Sequence, residues 1–142
     1  MLRTETKQCL RVLTALAKRE QATAVAELAD ECSIPAAMLA KVLHRLSITG
    51  FVRGRPGPGG GYTLARAAAG IRLRDIVLLT EGPEFGRHCL FGLPECSDSD
   101  PCPLHSHWSE IRRRLNAIVD DHTIADLASG VLPLPERTPH AW

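Results

Sequence analysis

The chain has 142 residues and a mass of 15.5 kDa, which suits one compact domain, alone or with a short dimerisation element. Hydrophobic residues make up 44% of the sequence, which excludes wholesale disorder, and no apolar run reaches the ~20 residues that span a bilayer. The N-terminal segment carries charge throughout and lacks a cleavable apolar stretch, so the sequence predicts a cytoplasmic protein.

Charge is distributed unevenly along the chain. Residues 1–66 carry ten Lys/Arg and five Asp/Glu, which gives that half a net charge of +5, while the remainder has a net charge of −4. A basic half in a small protein favours a polyanionic partner such as nucleic acid. The overall net charge of +1 hides this asymmetry.

Three helices are predicted in the first half of the chain. Leucines recur at helical spacing over residues 5–18 and predict the first helix. Thr23 is the predicted N-cap of a second helix over residues 24–31. Ser33 is the predicted N-cap of a third helix over residues 36–49. A short helix, a tight turn and a longer helix together indicate a helix-turn-helix.

A segment rich in glycine and proline follows the third helix. Two strand-like runs, Phe51–Arg53 and Gly61–Ala65, flank it and predict a β-hairpin. A hairpin in this position is typical of the wing of a winged helix-turn-helix. The segment carries Arg53 and Arg55 and no acidic residue, so a phosphate backbone can approach its main chain closely. The alternative interpretation is a flexible surface hairpin with incidental arginines.

The second half predicts three more helices. A short apolar helix covers residues 73–81, a long amphipathic helix covers residues 104–121, and a final short helix has Thr123 as its N-cap and ends at Ser129. The predicted fold class is therefore mainly α: a winged helix-turn-helix with a two-stranded β-hairpin wing and a long C-terminal dimerisation helix. The predicted parts are a DNA-binding domain (1–66), a cluster-binding loop with the dimerisation helix (67–129) and a disordered tail (130–142).

The long helix has an apolar stripe on one face and arginines at 112–114 on the other. The stripe comprises Trp108, Ile111, Leu115, Ile118 and Val119. It offers more apolar area than one small domain covers, which predicts a homodimer with two recognition helices about 34 Å apart. Alternatively, the stripe packs on its own domain.

Three cysteines are clustered in the spacing Cys89-x6-Cys96-x5-Cys102-x2-His105. Zinc knuckles use closer pairs, whereas this open spacing suits a loop around a larger group such as an iron–sulfur cluster. Thiolates are soft ligands that favour iron–sulfur clusters or zinc. Redox-sensing thiols, a zinc site and inert cysteines remain alternatives, and His105 is either a fourth ligand or a residue that only begins the helix.

Five segments carry a resemblance to a known family. They are LRVL (10–13), AELADECSIP (26–35), GGGY (59–62), the three-cysteine loop and TIADL (123–127). Over residues 1–129 the chain is similar to the Rrf-type family of winged-helix transcription regulators. The resemblance implies a homodimer that binds palindromic double-stranded promoter DNA. It also implies a 2Fe–2S or 4Fe–4S cluster held by Cys89, Cys96 and Cys102.

The family uses two kinds of fourth cluster ligand. In the IscR type it is a histidine three residues after the last cysteine, which matches His105. In the NsrR type it is an aspartate on the first helix of the partner subunit, and that position is Lys7 here, with Glu5 close by. Cys9 and Cys32 match no ligand position and are predicted to be small hydrophobic residues of the core.

The wing departs from the family pattern. The family commonly has arginine followed by glycine six residues before the wing tyrosine, Tyr62, whereas this chain has Pro56 there and Arg55 one place earlier. Arginines in a wing are suited to phosphate or minor-groove contact. The candidate DNA-contacting residues are Ser33, Ala36, Ala37, Lys41, His44, Arg53, Arg55 and Tyr62.

These features predict an iron–sulfur-dependent, DNA-binding transcription regulator that acts as a repressor and is not an enzyme. The expected signal is nitric oxide, redox state or iron–sulfur status. One alternative is a regulator on the same fold that works as a thiol or zinc switch without a cluster. An alternative of another class is a small iron–sulfur electron carrier or enzyme, which no substrate-binding motif in the sequence supports.

Overall fold

The computed structural model describes residues 2–94 and 96–130. Within these ranges the chain is mainly helical, with one two-stranded antiparallel sheet, as the sequence predicts. The helices are α1 (Thr4–Ala17), α2 (Val25–Cys32), α3 (Ala36–Ile48), α4 (Leu73–Glu81), α5 (His105–Asp121) and α6 (Ile124–Ser129). The strands are β1 (Val52–Arg55) and β2 (Gly61–Leu64), and a turn of 3-10 helix covers Ala68–Gly70.

Helix α1 lies at the centre of the hydrophobic core. It packs against α2, α3, α4, α6 and β2, and Val12 and Leu13 are completely buried. Cys9 and Cys32 are also buried in this core, which confirms that they are small hydrophobic residues of the interior. Burial raises the pKa of Cys9 to about 12 and that of Cys32 to about 11, so both remain thiols.

Both predicted N-caps of the helix-turn-helix are wrong. Thr23 does not cap α2 but forms an antiparallel bridge with Tyr62, with N–H···O distances of 3.0 and 2.9 Å in the two directions. Ser33 does not cap α3 but ends α2 in a left-handed conformation with φ 49°. Pro35 occupies the N-cap position of α3 instead, with an extended ψ of 138°. The tight turn therefore depends on a left-handed residue, not on a side-chain cap.

The wing follows α3 directly. The two strands pair antiparallel from Val52 opposite Leu64 to Arg55 opposite Gly61. Gly61 has φ 138°, and a Cβ atom at this position would lie 2.1 Å from the carbonyl oxygen of Thr23. A glycine is therefore required where the wing crosses the segment before α2.

The C-terminal helices return to the same core. The segments before α4 and after α5 pair through Leu73 N–H to His122 O (3.0 Å) and Ile124 N–H to Ile71 O (2.9 Å). Thr123 caps α6 as predicted, and its hydrogen bonds hold the pKa of Asp126 below the usual range. Of the predicted tail, residues 131–142 lie outside the described ranges. Within those ranges no helix has the length and apolarity of a membrane span.

Candidate DNA-binding surface and cysteine loop

Helix α3 has one buried and one exposed face. The buried side chains are the predicted ones, Leu39, Val42, Leu43 and Leu46. Four of the candidate DNA-contacting residues, Ala36, Ala37, Lys41 and His44, are exposed, whereas Ser33 is half-buried. Because the leucines fix the rotation of the helix, the exposed residues form a surface that is available to a large partner.

The arginines of the wing point to solvent, whereas its tyrosine packs against the hairpin itself. Arg53 and Arg55 are exposed on β1. Tyr62 is half-buried; its ring lies across Gly54, where a Cβ atom would be 3.4 Å from the ring, and its main chain pairs with Thr23. Tyr62 therefore helps to fix the orientation of the wing.

The cysteine loop brings its three thiols into one neighbourhood. Cys89 is buried, and the N–H groups of Phe91 and Leu93 lower the pKa of its thiol by hydrogen bonding to the sulfur. Burial opposes this effect, and the nearby thiols of Cys102 and Cys96 add smaller contributions in the lowering direction. These surroundings favour a thiolate, which is the form that binds iron or zinc.

His105 is the first residue of α5, and its ring lies beside this thiol group. Its Nδ1 atom is 3.5 Å from the sulfur of Cys96. Its Nε2 atom is 2.7 Å from Oδ1 of Asp98 and 3.2 Å from the hydroxyl of Ser109. The structure therefore groups the three predicted cysteine ligands and places His105 beside one of them, Cys96. Asp98 contacts His105 as well, which the sequence did not predict.

The donor types are those that bind an iron–sulfur cluster or zinc. Three thiols and an imidazole are soft donors, and main-chain N–H groups already hydrogen-bond to one sulfur. Within residues 2–94 and 96–130, no three His, Cys, Asp or Glu side chains have the arrangement of a site for one ion. A cluster spreads its protein ligands over more than one iron atom, so it does not require that arrangement.

The segment before Cys89 is held along α5 by three hydrogen bonds. They run from Trp108 Nε1 to His88 O (2.8 Å), from Arg112 Nη1 to Arg87 O (3.1 Å) and from Asn116 Nδ2 to Gly86 O (3.3 Å). We call residues 86–88 with these three donors the α5 clasp. The donors are four residues apart and therefore share one helix face.

The clasp corrects the predicted faces of the long helix. The indole N–H of Trp108 contacts its own loop, and Arg112 lies on the same helix face as Trp108 instead of on the opposite face. Val119 is buried in the core of its own chain. The remaining stripe residues that are strongly exposed are Ile111 (54%) and Ile118 (51%). The apolar stripe thus divides into an inward part and a smaller outward part.

An ion pair connects the recognition helix to the elements next to the loop. Arg45 of α3 donates to Glu5 of α1 at 2.7 Å and to the carbonyl oxygen of Leu79 in α4. Arg74 of α4 is paired in turn with Asp120 of α5. These contacts join α5 to α4 and α4 to α3. Glu5, which is near the position of the NsrR-type ligand, forms an ion pair with Arg45 of its own chain.

The chain matches a known family over almost its whole length. The profile of the Rrf2 family, described as "Iron-dependent Transcriptional regulator", matches residues 2–130. The chain belongs to the Rrf2 family. An Aquifex aeolicus protein named as an HTH-type transcriptional regulator is 34% identical over 111 residues, which are 77% of each chain. IscR of Yersinia enterocolitica is 25% identical over 125 residues, 87% of this chain and 76% of that one.

Solved structures of transcription regulators have the same fold. CymR, the global cysteine regulator of B. subtilis, has a TM-score of 0.74 at 25% identity and covers 91% of this chain and 96% of its own. IscR of T. potens has a TM-score of 0.70 at 20% identity and covers 92% and 88%. This Rrf2 protein is accordingly a winged-helix transcription regulator and not an enzyme.

The α5 clasp predicts an unusual sensitivity at Gly86. This residue has φ +74°, and a Cβ atom would lie 2.5 Å from Oδ1 of Asn116. In Gly86→Ala we expect Asn116 to leave the clasp, at a cost of about 1 kcal/mol beyond the backbone strain, as for one lost hydrogen bond. The measurement is the free energy of unfolding in urea.

Gly92→Ala is the matched control, because Gly92 has φ +73° in the same loop and open space around it. It carries the same left-handed strain, about 1–2 kcal/mol, without the collision. In an Asn116→Ala background the extra cost of Gly86→Ala should disappear. Equal losses for Gly86→Ala and Gly92→Ala in the wild-type background would contradict the clasp.

Proposed function

We propose that this Rrf2 protein is an iron–sulfur-dependent repressor that binds promoter DNA as a homodimer in the cytoplasm. The observation that supports it most directly is the grouping of the Cys89, Cys96 and Cys102 thiols with His105, whose Nδ1 lies 3.5 Å from a cysteine sulfur. This loop stands beside α5 in a fold that carries a recognition helix and a wing. Relatives named IscR support the same interpretation.

A bound cluster would supply a centre whose electrons, iron or sulfide respond to nitric oxide, redox state or iron–sulfur status. The protein itself would couple the order of the cysteine loop to the affinity for DNA. Ligation fixes Cys89, and the adjoining clasp then fixes residues 86–88 along α5. Without ligation the loop keeps few buried apolar anchors, because Leu90, Phe91 and Leu93 are all about half-exposed or more. We expect the loop to change between ordered and disordered states.

The first prediction concerns loss of the cluster. Anaerobically purified protein should show visible charge-transfer bands, and removal of the cluster or Cys96→Ala should abolish them. DNA affinity should then change roughly 5- to 150-fold, the usual size of coupling between two sites. The measurement is a titration, at one fixed salt concentration, of a duplex that the cluster-loaded protein selects from a random pool.

Cys9→Ala serves as the control, because Cys9 is a buried core thiol outside the loop. It should keep both the visible bands and the DNA affinity. If cluster-loaded, cluster-free and Cys96→Ala proteins bind the duplex equally, the loop is not the sensor.

A thiol switch is the second candidate function. It is favoured by the closeness of Cys89 to Cys96 and Cys102, which would let neighbouring thiols form a disulfide, and by the structural similarity to CymR. A solved structure of Staphylococcus aureus CymR is described as an oxidized form. Protein that has no visible bands but loses DNA affinity reversibly with peroxide and recovers it with dithiothreitol would support this candidate over the cluster.

The second prediction concerns the wing. Replacing both Arg53 and Arg55 with alanine should weaken DNA binding and reduce the slope of log affinity against log salt by up to about 2 per bound protomer, through lost counterion release. Arg87→Ala with Arg113→Ala removes the same charge from the cysteine loop and α5, and should leave the slope unchanged. A slope that is unchanged in the wing variant would exclude the wing from the interface.

The third prediction concerns the homodimer. Ile111 and Ile118 are exposed on α5, and Leu104, the residue just before this helix, is exposed as well. The three recur every seven residues, which aligns them along the outer side of the helix. Ile111→Asp with Ile118→Asp should convert a dimer to a monomer in sedimentation velocity at micromolar concentration. Ile48→Asp is the control, because Ile48 is 71% exposed but belongs to α3 and not to α5. It should leave the dimer intact. A wild-type monomer would contradict the dimer.

A further inference from the structure

Asp98 lies in the loop between the second and third cysteines. Its carboxylate oxygen Oδ1 is 2.7 Å from Nε2 of His105, while the other ring nitrogen of that histidine faces the sulfur of Cys96. We infer that Asp98 is a positioning residue, which holds the ring proton on Nε2 and thereby leaves the Nδ1 lone pair free to bind the proposed cluster. The inference rests on the proposed function, since it concerns the fourth ligand of the same cluster.

The chemistry of the partners selects this tautomer. An ionised carboxylate can only accept hydrogen bonds, so its contact with Nε2 requires a proton on that atom. The hydroxyl of Ser109, 3.2 Å from Nε2, does not fix the tautomer, because a hydroxyl both donates and accepts. Metal-bound histidines generally donate their other N–H to a carboxylate or carbonyl, which orients the ring and makes the ligand more basic.

The loop around Asp98 is itself held in place. Ser99 donates its main-chain N–H to the hydroxyl of Ser97 at 3.1 Å, and the two hydroxyls are 2.6 Å apart. This small turn brackets Asp98 in the chain, and the Asp98 side chain itself is fully exposed to solvent. Asp100 lies two residues further along the same loop and is also exposed. Within residues 2–94 and 96–130, its carboxylate makes no hydrogen bond to His105.

This arrangement provides a matched pair of variants. Asp98→Asn and Asp100→Asn remove the same charge from the same loop, but only the first weakens the acceptor at Nε2. In the anaerobic, cluster-loaded full chain, Asp98→Asn should lose its cluster to a chelator roughly 10-fold faster than wild type, as expected for a partner that orients a metal ligand. Asp100→Asn should stay within about twofold of wild type.

Two further readouts separate positioning from general destabilisation. The reduction potential should become more positive in Asp98→Asn than in Asp100→Asn, because a less basic imidazole stabilises the oxidised cluster less. Pulsed electron paramagnetic resonance on ¹⁵N-histidine-labelled, reduced protein should show the nitrogen coupling of a bound imidazole, altered by Asp98→Asn only. Thermal unfolding of the cluster-free proteins should be the same for both variants.

The decisive comparison uses a second background. In His105→Cys, whose cysteine can still bind iron, Asp98→Asn should lose its cluster no faster than Asp100→Asn, because Asp98 acts only through the imidazole. Equal effects of the two asparagine variants in wild type, or an excess that persists in His105→Cys, would overturn the inference while leaving the cluster intact. A wild-type chain that binds no cluster would overturn the proposed function and, with it, this inference.

Discussion

The burial of α1 is the constraint on which the rest of the structure depends. Val12 and Leu13 are completely enclosed, and a buried leucine or valine contributes about 1.5–3 kcal/mol by leaving water. Because α1 packs against α2 and α3 as well as α4 and α6, the DNA-binding helices and the helix before the cysteine loop share one core. Arg45 adds a hydrogen bond from α3 to α4 at the edge of this shared core.

The cysteine loop is stabilised by a different kind of interaction. Hydrogen bonds from α5 hold residues 86–88, and each contributes only about 0.5–1.5 kcal/mol net. Leu90, Phe91 and Leu93, which follow Cys89 in the loop, contribute little to the core because their side chains are exposed. A ligand bound by the cysteines can therefore change the order of this loop without disturbing the core around α1.

Local signals made the helices easy to predict, whereas long-range contacts caused the errors at Thr23 and Trp108 and a local left-handed turn caused the error at Ser33. The capping pair Thr123 and Asp126 and the apolar spacing of α4 lie within a few residues, so their bounds could be read from the sequence. Thr23 failed as a predicted cap because its partner, Tyr62, is 39 residues away. Trp108 carried an apolar signal, but its ring N–H binds a carbonyl 20 residues earlier. Asp98 sits in a loop without periodicity, so no sequence pattern tied it to His105.

The bridge between Thr23 and Tyr62 has a consequence for operator architecture. The bridge joins the wing to the segment before α2, and the close approach at Gly61 leaves no room for movement where they cross. The wing and the recognition helix, α3, of one subunit are therefore held at a fixed distance from each other. In the proposed dimer only the distance between the DNA-binding units of the two subunits can change. Each half-site would then have a rigid internal length, and the proposed sensor would act on the distance between the two half-sites.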